Sequence, residues 1–435
     1  MEFSSLLSQY PYADIRIHHG TDTSIKINNN EVTVVSGNFY GMSVRVLKNG
    51  SWGFASSNMT ISPELLLEKA NRLASLQDGS ITLQETKQDK KTIENKIKFL
   101  SIEDKITSLF DAKKEMNGKY LIGTTISCSD TFVTKELYSS EGVELIQESS
   151  YTYLSCSGIA KSGELIQRGY ETQATTHGFS ALDPHTIARV ADQKAEKLLT
   201  ALPPVKGRFT VVLDPEMTGV FSHEALGHAS EADSIVDRES ILSGKLQTKI
   251  GNELVTIVDD PTADDFGFYH YDDEGVKAQK AELVTNGILM NYLNSRETSS
   301  KLQLKLNGHA RAGGFDQIPI VRMSNTYFGK GKTQKSDLFD LKQGVYLKGM
   351  KRGSVDIFSG GFMFKAEEAH EIKNGELGTL LRDVTLSGNI LETLNNVTLV
   401  GNDFGTSPGI CGKMGQSAPV SDGGPHIQVK DMLVG

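Results

Sequence analysis

Apolar and polar residues alternate at 14–18 (DIRIH) and 24–27 (SIKI), the period-two pattern of half-buried strands. Residues 40–47 and 51–54 read as two more strands, joined at Asn49-Gly50, a dipeptide suited to a tight hairpin. The period then changes. Residues 63–76 space their apolar positions as a helix does, with Ser62 as N-cap and Pro63 in the first turn. A second helix is expected over 101–116, where Ile102, Ile106, Leu109 and Phe110 share one face.

The same order recurs downstream. Strand-like runs at 142–145 and 152–160 lead to a turn at Gly163, and a helix runs from Pro184 to about Leu202. The recurrence is either an internal duplication or the echo that any α+β domain gives. Residues 201–207 (ALPPVKG) break both periods and mark a boundary. The expected fold class is α+β. An N-terminal layered α/β domain, internally duplicated, covers 1–205, and a mainly antiparallel β domain covers 206–435 and carries the helix of chemical interest. A hairpin over 276–293 is expected to turn at Asn286-Gly287.

That helix follows the apolar strand run 209–213 (FTVVL). Asp214 is its N-cap, Pro215 takes the first helical position, and Glu216 suits the positive helix end. His223, Glu224 and His228 fall in its middle. The common zinc peptidase motif sets two histidines at i and i+4, on one face. Here the spacing is i and i+5, which an undistorted helix places roughly 140° apart. A one-residue π-bulge would return both rings to one face, and Gly227 would ease it. His223 and His228 would then bind zinc, while Glu224 takes a proton from the attacking water. A catalytic zinc needs a third protein ligand. Two alternatives stand: Cys411, in a glycine-flanked loop at 408–413 where Lys413 would favour the thiolate, and Glu231.

Composition narrows the class. At 435 residues the chain exceeds what one core usually serves. A net charge of -9 argues against nucleic acid and against an anionic membrane surface. No apolar run is long enough to span a bilayer, and residues 1–14 lack the features of a signal peptide. The cysteines, Cys128, Cys156 and Cys411, are odd in number and form no CxxC pair, so a reducing cytoplasm is expected. Cys128 and Cys156 read as small buried residues. Asp272-Asp273-Glu274 could bind a cation or a peptide amino end, but is read as a solvated turn. His309 and Arg311 either stabilise an oxyanion or belong to a surface loop. Arg322 is expected to tie strands together.

Several segments, in order, resemble the TldD/PmbA family of peptidases, the modulators of gyrase: 223–233 (HEALGHASEAD), 266–289, 318–328 (IPIVRMSNTYF), 355–378, 385–389, 400–405 and 409–425. Ser324 stands where the family commonly has Thr. The intact HExxxH places the chain with the TldD-like catalytic branch. The resemblance implies that His223, His228 and Cys411 bind Zn2+ and that Glu224 is the base. It implies a homodimer, or a heterodimer with a PmbA-like chain, enclosing a cavity that admits unfolded or short peptides. The competing expectation is a non-catalytic partner or adaptor subunit of such a complex.

Overall fold

The computed structural model describes residues 3–97 and 99–435. After a short helix α1 (Phe3–Leu7), three strands follow: β1 (Tyr12–Asn28), β2 (Glu31–Lys48) and β3 (Ser51–Ser57). Next come α2 (Pro63–Ala74), β4 (Lys90–Ile93) and α3 (Ile102–Lys113). β5 (Leu121–Ser139), β6 (Glu144–Ser162), β7 (Leu165–Thr175) and α4 (Pro184–Leu198) complete this part. The two runs read as separate strands at 14–18 and 24–27 are one strand, β1. The pattern broke at Gly20 because a Cβ there would lie 1.9 Å from the Phe132 carbonyl oxygen. Asn49 and Gly50 both take positive φ, 50° and 69°, as the tight hairpin turn requires.

The duplication is visible in the pairing. β1 pairs antiparallel with β5 at the centre of one sheet, and each leads outward through its own hairpin, β2–β3 or β6–β7, to a helix. The helices dock in the same way. A Cβ on Gly53 in β3 would meet the Ala70 carbonyl oxygen at 1.7 Å and the Ala74 nitrogen at 2.7 Å. A Cβ on Gly169 in β7 would meet the Ala191 carbonyl oxygen at 1.9 Å and the Ala195 nitrogen at 2.5 Å. Each unit thus uses one strand glycine to let a helix backbone come close, against two alanines four residues apart. Both helices are capped: Ser62, as the sequence indicates, accepts from Leu65 N, and Asp183 accepts from Thr186 N.

The C-terminal part opens with β8 (Gly207–Leu213) and α5 (Pro215–Val220). Short strands follow: β9 (Ile257–Asp259), β10 (Ala281–Thr285), β11 (Ile288–Leu289), β12 (Ala310–Arg311), β13 (Ile320–Val321) and β14 (Asn325–Phe328). The chain then forms β15 (Gln343–Asp356), β16 (Gly361–Lys373), β17 (Glu376–Leu381) and β18 (Thr385–Asn389). It ends in β19 (Val397–Val400), β20 (Gly405–Lys413), β21 (Gln416–Gly424) and β22 (Ile427–Val434). β15, β8, β22, β18 and β16 pair in a ring that closes on itself, which removes their edges. A second sheet runs β11-β10-β9-β14-β21-β20 and leaves β20 at its edge. Pairing is antiparallel except at β8–β15 and β14–β21. The expected hairpin at 276–293 pairs only around its Asn286-Gly287 turn.

One expectation is overturned where the two parts meet. Asp272, Asp273 and Glu274 are not in water; they are 3%, 8% and 5% exposed. They pack against the β1–β2–β5 face with partners for their charge. Arg45 donates to Asp14 Oδ2 (2.9 Å) and to Glu274 Oε1 (3.1 Å), and Lys135 holds Asp273 at 3.0 Å. Asp272 accepts from the Glu274, Val276 and Ala310 amides. An acidic triplet read by itself looks solvated because its cations lie far away in sequence.

Candidate metal centre

α5 starts as its sequence dictates: Asp214 accepts from Met217 N at 2.9 Å, with Pro215 in the first turn. The helix then widens. Phe221–Gly227 is a π-helical turn, and the His228 N–H donates to the His223 carbonyl, an i+5 to i bond. This is the distortion the spacing calls for, and it brings the rings together, with centroids 5.3 Å apart and planes at 88°. Gly227 serves differently from expectation. Its backbone is ordinary right-handed helix (φ -55°), but a Cβ there would lie 2.0 Å from Met323 Sδ. The glycine makes room for Met323, which supports the turn from below.

Cys411 also corrects an expectation, for it lies in no loop. It is in β20, paired with Ala418 in a hairpin whose turn is at Met414-Gly415. Arg322 fixes this strand by donating to the carbonyls of Cys411 (2.7 Å) and Gln416 (3.2 Å), the strand tie that was expected of it. The result is a cluster of three donor atoms, one each from His223, His228 and Cys411, all within 4.8 Å of one another. His228 Nε2 lies 3.4 Å from Cys411 Sγ.

Glu231, the alternative to Cys411, is not part of this cluster. It accepts from His228 Nδ1 at 3.0 Å, on the side of the ring away from the cluster, and so turns Nε2 toward Cys411. Its i+3 spacing from His228 was the available clue. Lys413 does not face the thiol either; it is held by Glu231 (3.0 Å) and Asp233 (2.6 Å). Burial pushes the Cys411 thiol up, but hydrogen bonds from His223 and His228 outweigh it and bring the pKa down to about 5. Burial disfavours the charged form of His228, yet Glu231 and Cys411 hold its pKa well above the usual histidine range. Cys411 is therefore a thiolate, the form a metal takes. Burial pushes Asp422 up to about 8, partly offset by His223.

The donor set suits zinc, a borderline-soft ion taken by imidazole and thiolate. His223 Nδ1 is buried with no hydrogen-bond partner among the described residues. Glu224, half-buried, is adjacent in sequence to His223. His309 is elsewhere in role: fully buried, with Nε2 on Asp259 and Nδ1 on Asn307, both at 3.0 Å, it has no free nitrogen for an oxyanion. Arg311 is buried too, and donates through Nη1 to the Met323 carbonyl at 2.7 Å.

Comparison with known proteins identifies the family. Family models of the PmbA/TldA metallopeptidase match along the chain: domain 1 at residues 13–76, the central domain at 89–199 and the C-terminal domain at 206–435. A metalloprotease of Methanothermobacter thermautotrophicus is 42% identical over 433 residues, covering 98% of this chain and 95% of that protein. A zinc metalloprotease TldD homolog of Saccharolobus solfataricus is 32% identical over 432 residues, covering 98% and 96%. Two crystal structures share the fold. A Thermotoga maritima protein described as a modulator of a DNA gyrase has TM-score 0.81 at 21% identity, covering 98% of this chain and 96% of its own. TldE from Thermococcus kodakarensis has TM-score 0.78 at 19% identity, covering 99% and 98%. With matching models over both halves and close relatives of nearly its full length, the chain belongs to the PmbA/TldD family of metallopeptidases.

Proposed function

We propose that the chain is a zinc-dependent peptidase of the TldD-like branch, acting on unfolded or short peptides with little sequence specificity. The observation that carries this reading is the π-helical turn, which sets His223 and His228 beside Cys411. The kinship with a protein named a zinc metalloprotease supports the choice of metal. A bound zinc would supply Lewis acidity and let water ionise near neutral pH.

The chain's own residues do the rest. Glu231 and Arg322 hold the ring of His228 and the strand of Cys411 in place. Glu224 takes a proton from the attacking water on its carboxylate and returns it to the leaving amine nitrogen. β20 is an edge strand, and an extended peptide added there would be held by backbone hydrogen bonds that ignore side-chain identity. A homodimer, or a heterodimer with a PmbA-like chain, would enclose the site and exclude folded proteins. The odd, unpaired cysteines fit a cytoplasmic setting, and no helix among the described residues is long and apolar enough to cross a membrane.

The second reading is a silent partner subunit, and it fits poorly with a complete ligand set. Digestion of a denatured protein, read by mass spectrometry, separates the two. Zinc-supplied chain is expected to yield fragments and Glu224→Ala to yield none. Retained cleavage in that variant would refute Glu224 as the base, and no cleavage by the zinc-bound chain would favour the partner reading.

A further inference from the structure

Beside the metal cluster, between the N-terminal sheet and the β20–β21 hairpin, is a cavity of about 510 Å3. Aromatic rings wall it: Phe39, Tyr151, Tyr153, Phe266 and Phe315. Its size is that of a small-ligand pocket. Ile410, the neighbour of Cys411, lines it and is half-exposed. Successive side chains on a strand point to opposite faces, so the hairpin turns Cys411 toward the histidines and Ile410 toward the cavity. A peptide laid along β20 would likewise send alternate side chains to each.

The cavity's charges are uneven. Burial, then Lys135, push the pKa of His18 down to about 3, so it is neutral. Lys135 is paired with Asp273. Asp22 and Asp316 are exposed at the rim. Arg311 differs from all of these. Its guanidinium stands 4.9 Å from the Tyr269 ring, and Nη1 is engaged on the Met323 carbonyl. Among the described residues Nε and Nη2 donate to nothing, and no carboxylate lies within 4 Å. Arg16 and Arg322 also lack a carboxylate partner, but their idle nitrogens are sealed from solvent and neither lines the cavity. A buried guanidinium with two unpaired nitrogens, on a residue that lines an aromatic cavity, is suited to take a carboxylate in its fork.

We propose that this cavity is a substrate subsite in which Arg311 anchors a peptide carboxylate, with the aromatic walls taking the side chain beside it. The inference rests on the peptidase reading and deepens it. An anchored chain terminus is compatible with tolerance of sequence elsewhere, whereas an anchored Asp or Glu side chain would impose a preference.

The test is binding to the zinc-supplied Glu224→Ala chain, which needs no turnover. Three probes share one sequence ending in tyrosine: the free acid, the C-terminal amide, and the amide with one internal glutamate. One or both carboxylate probes are expected to bind about 10- to 100-fold tighter than the plain amide, the worth of a charge-assisted bond. A free acid alone gaining affinity assigns the chain terminus, and the glutamate probe gaining it assigns an acidic side chain. Arg311→Gln should erase the difference. Thr131→Trp, which fills the cavity from β5, should likewise erase the difference, without loss of zinc. Equal binding of all three probes, or discrimination surviving in either variant, overturns the subsite. Should the wild-type chain cleave nothing while the discrimination stands, the peptidase reading fails and the carboxylate site remains.

Discussion

Two clusters of charged and titratable side chains are buried in this molecule, and they are built on opposite plans. At the junction of the two parts, Asp14, Arg45, Lys135, Asp273 and Glu274 form ion pairs with one another at 2.7–3.1 Å. At the π-helical turn, His223, His228 and Cys411 instead converge, with one donor atom from each within 4.8 Å of the others. Mutual pairing is what a structural latch needs, since an unpaired buried charge costs several kcal/mol. Converging donors are what a metal needs. The difference teaches that burial and charge alone do not mark a functional site. The mark is donor atoms that converge on one point rather than on one another.

The sharpest way to break this contrast is Glu224→Ala. It should lower kcat about 10²- to 10⁴-fold, as loss of a general base does. Zinc content and melting temperature should be nearly unchanged, read by metal analysis and thermal denaturation. At the latch the expectation reverses. Arg45→Met strands the buried Asp14 carboxylate and should cost about 3–5 kcal/mol of stability, seen in a urea titration, while folded protein still takes up zinc. A loss of zinc binding in folded Arg45→Met would show that the two clusters are not separable.

A smaller effect is expected at Glu231. Glu231→Gln keeps the shape but removes the charge behind His228, and should weaken zinc affinity about 10- to 100-fold, measured by competition with a chelator. Unchanged affinity would show that the ring needs no orienting. The smallest effect is on pH. His18, buried and neutral, has its pKa pushed from the usual histidine range down to about 3. The unfolded chain therefore binds this proton more readily, so its contribution to stability is present above about pH 6.5 and is lost as pH falls toward 3. Asp273, held below the usual carboxylate range by Lys135, His18 and Arg16 despite burial, adds in the same direction at lower pH. His18→Gln should flatten the upper part of that acid-side slope in melting curves taken across the window, and an unaltered slope would remove His18 from the latch.

Much of the architecture was legible because it rests on local rules. The caps at Ser62 and Asp214 and the turn at Asn49-Gly50 are short-range chemistry. So was the π-helical turn, since two histidines five residues apart share no face of a regular helix. What escaped depended on partners distant in the chain. The acidic triplet at 272–274 was misplaced because Arg45 and Lys135 lie in the other sheet. Cys411 was given a loop because its glycine neighbours suggested one, whereas the strand is set by pairing with β21 and by Arg322. Gly227 was assigned to backbone freedom, while its cause is Met323, nearly a hundred residues on. Arg311 was singled out early, but as an oxyanion donor rather than as the wall of a cavity.

The most direct measurement is zinc stoichiometry on the purified chain after zinc is supplied, with Glu224→Ala and Cys411→Ala in parallel. A single bound zinc in the first two, and its loss in folded Cys411→Ala, is the expected result. No zinc in the unaltered chain, or full zinc in Cys411→Ala, would contradict the His223, His228 and Cys411 site.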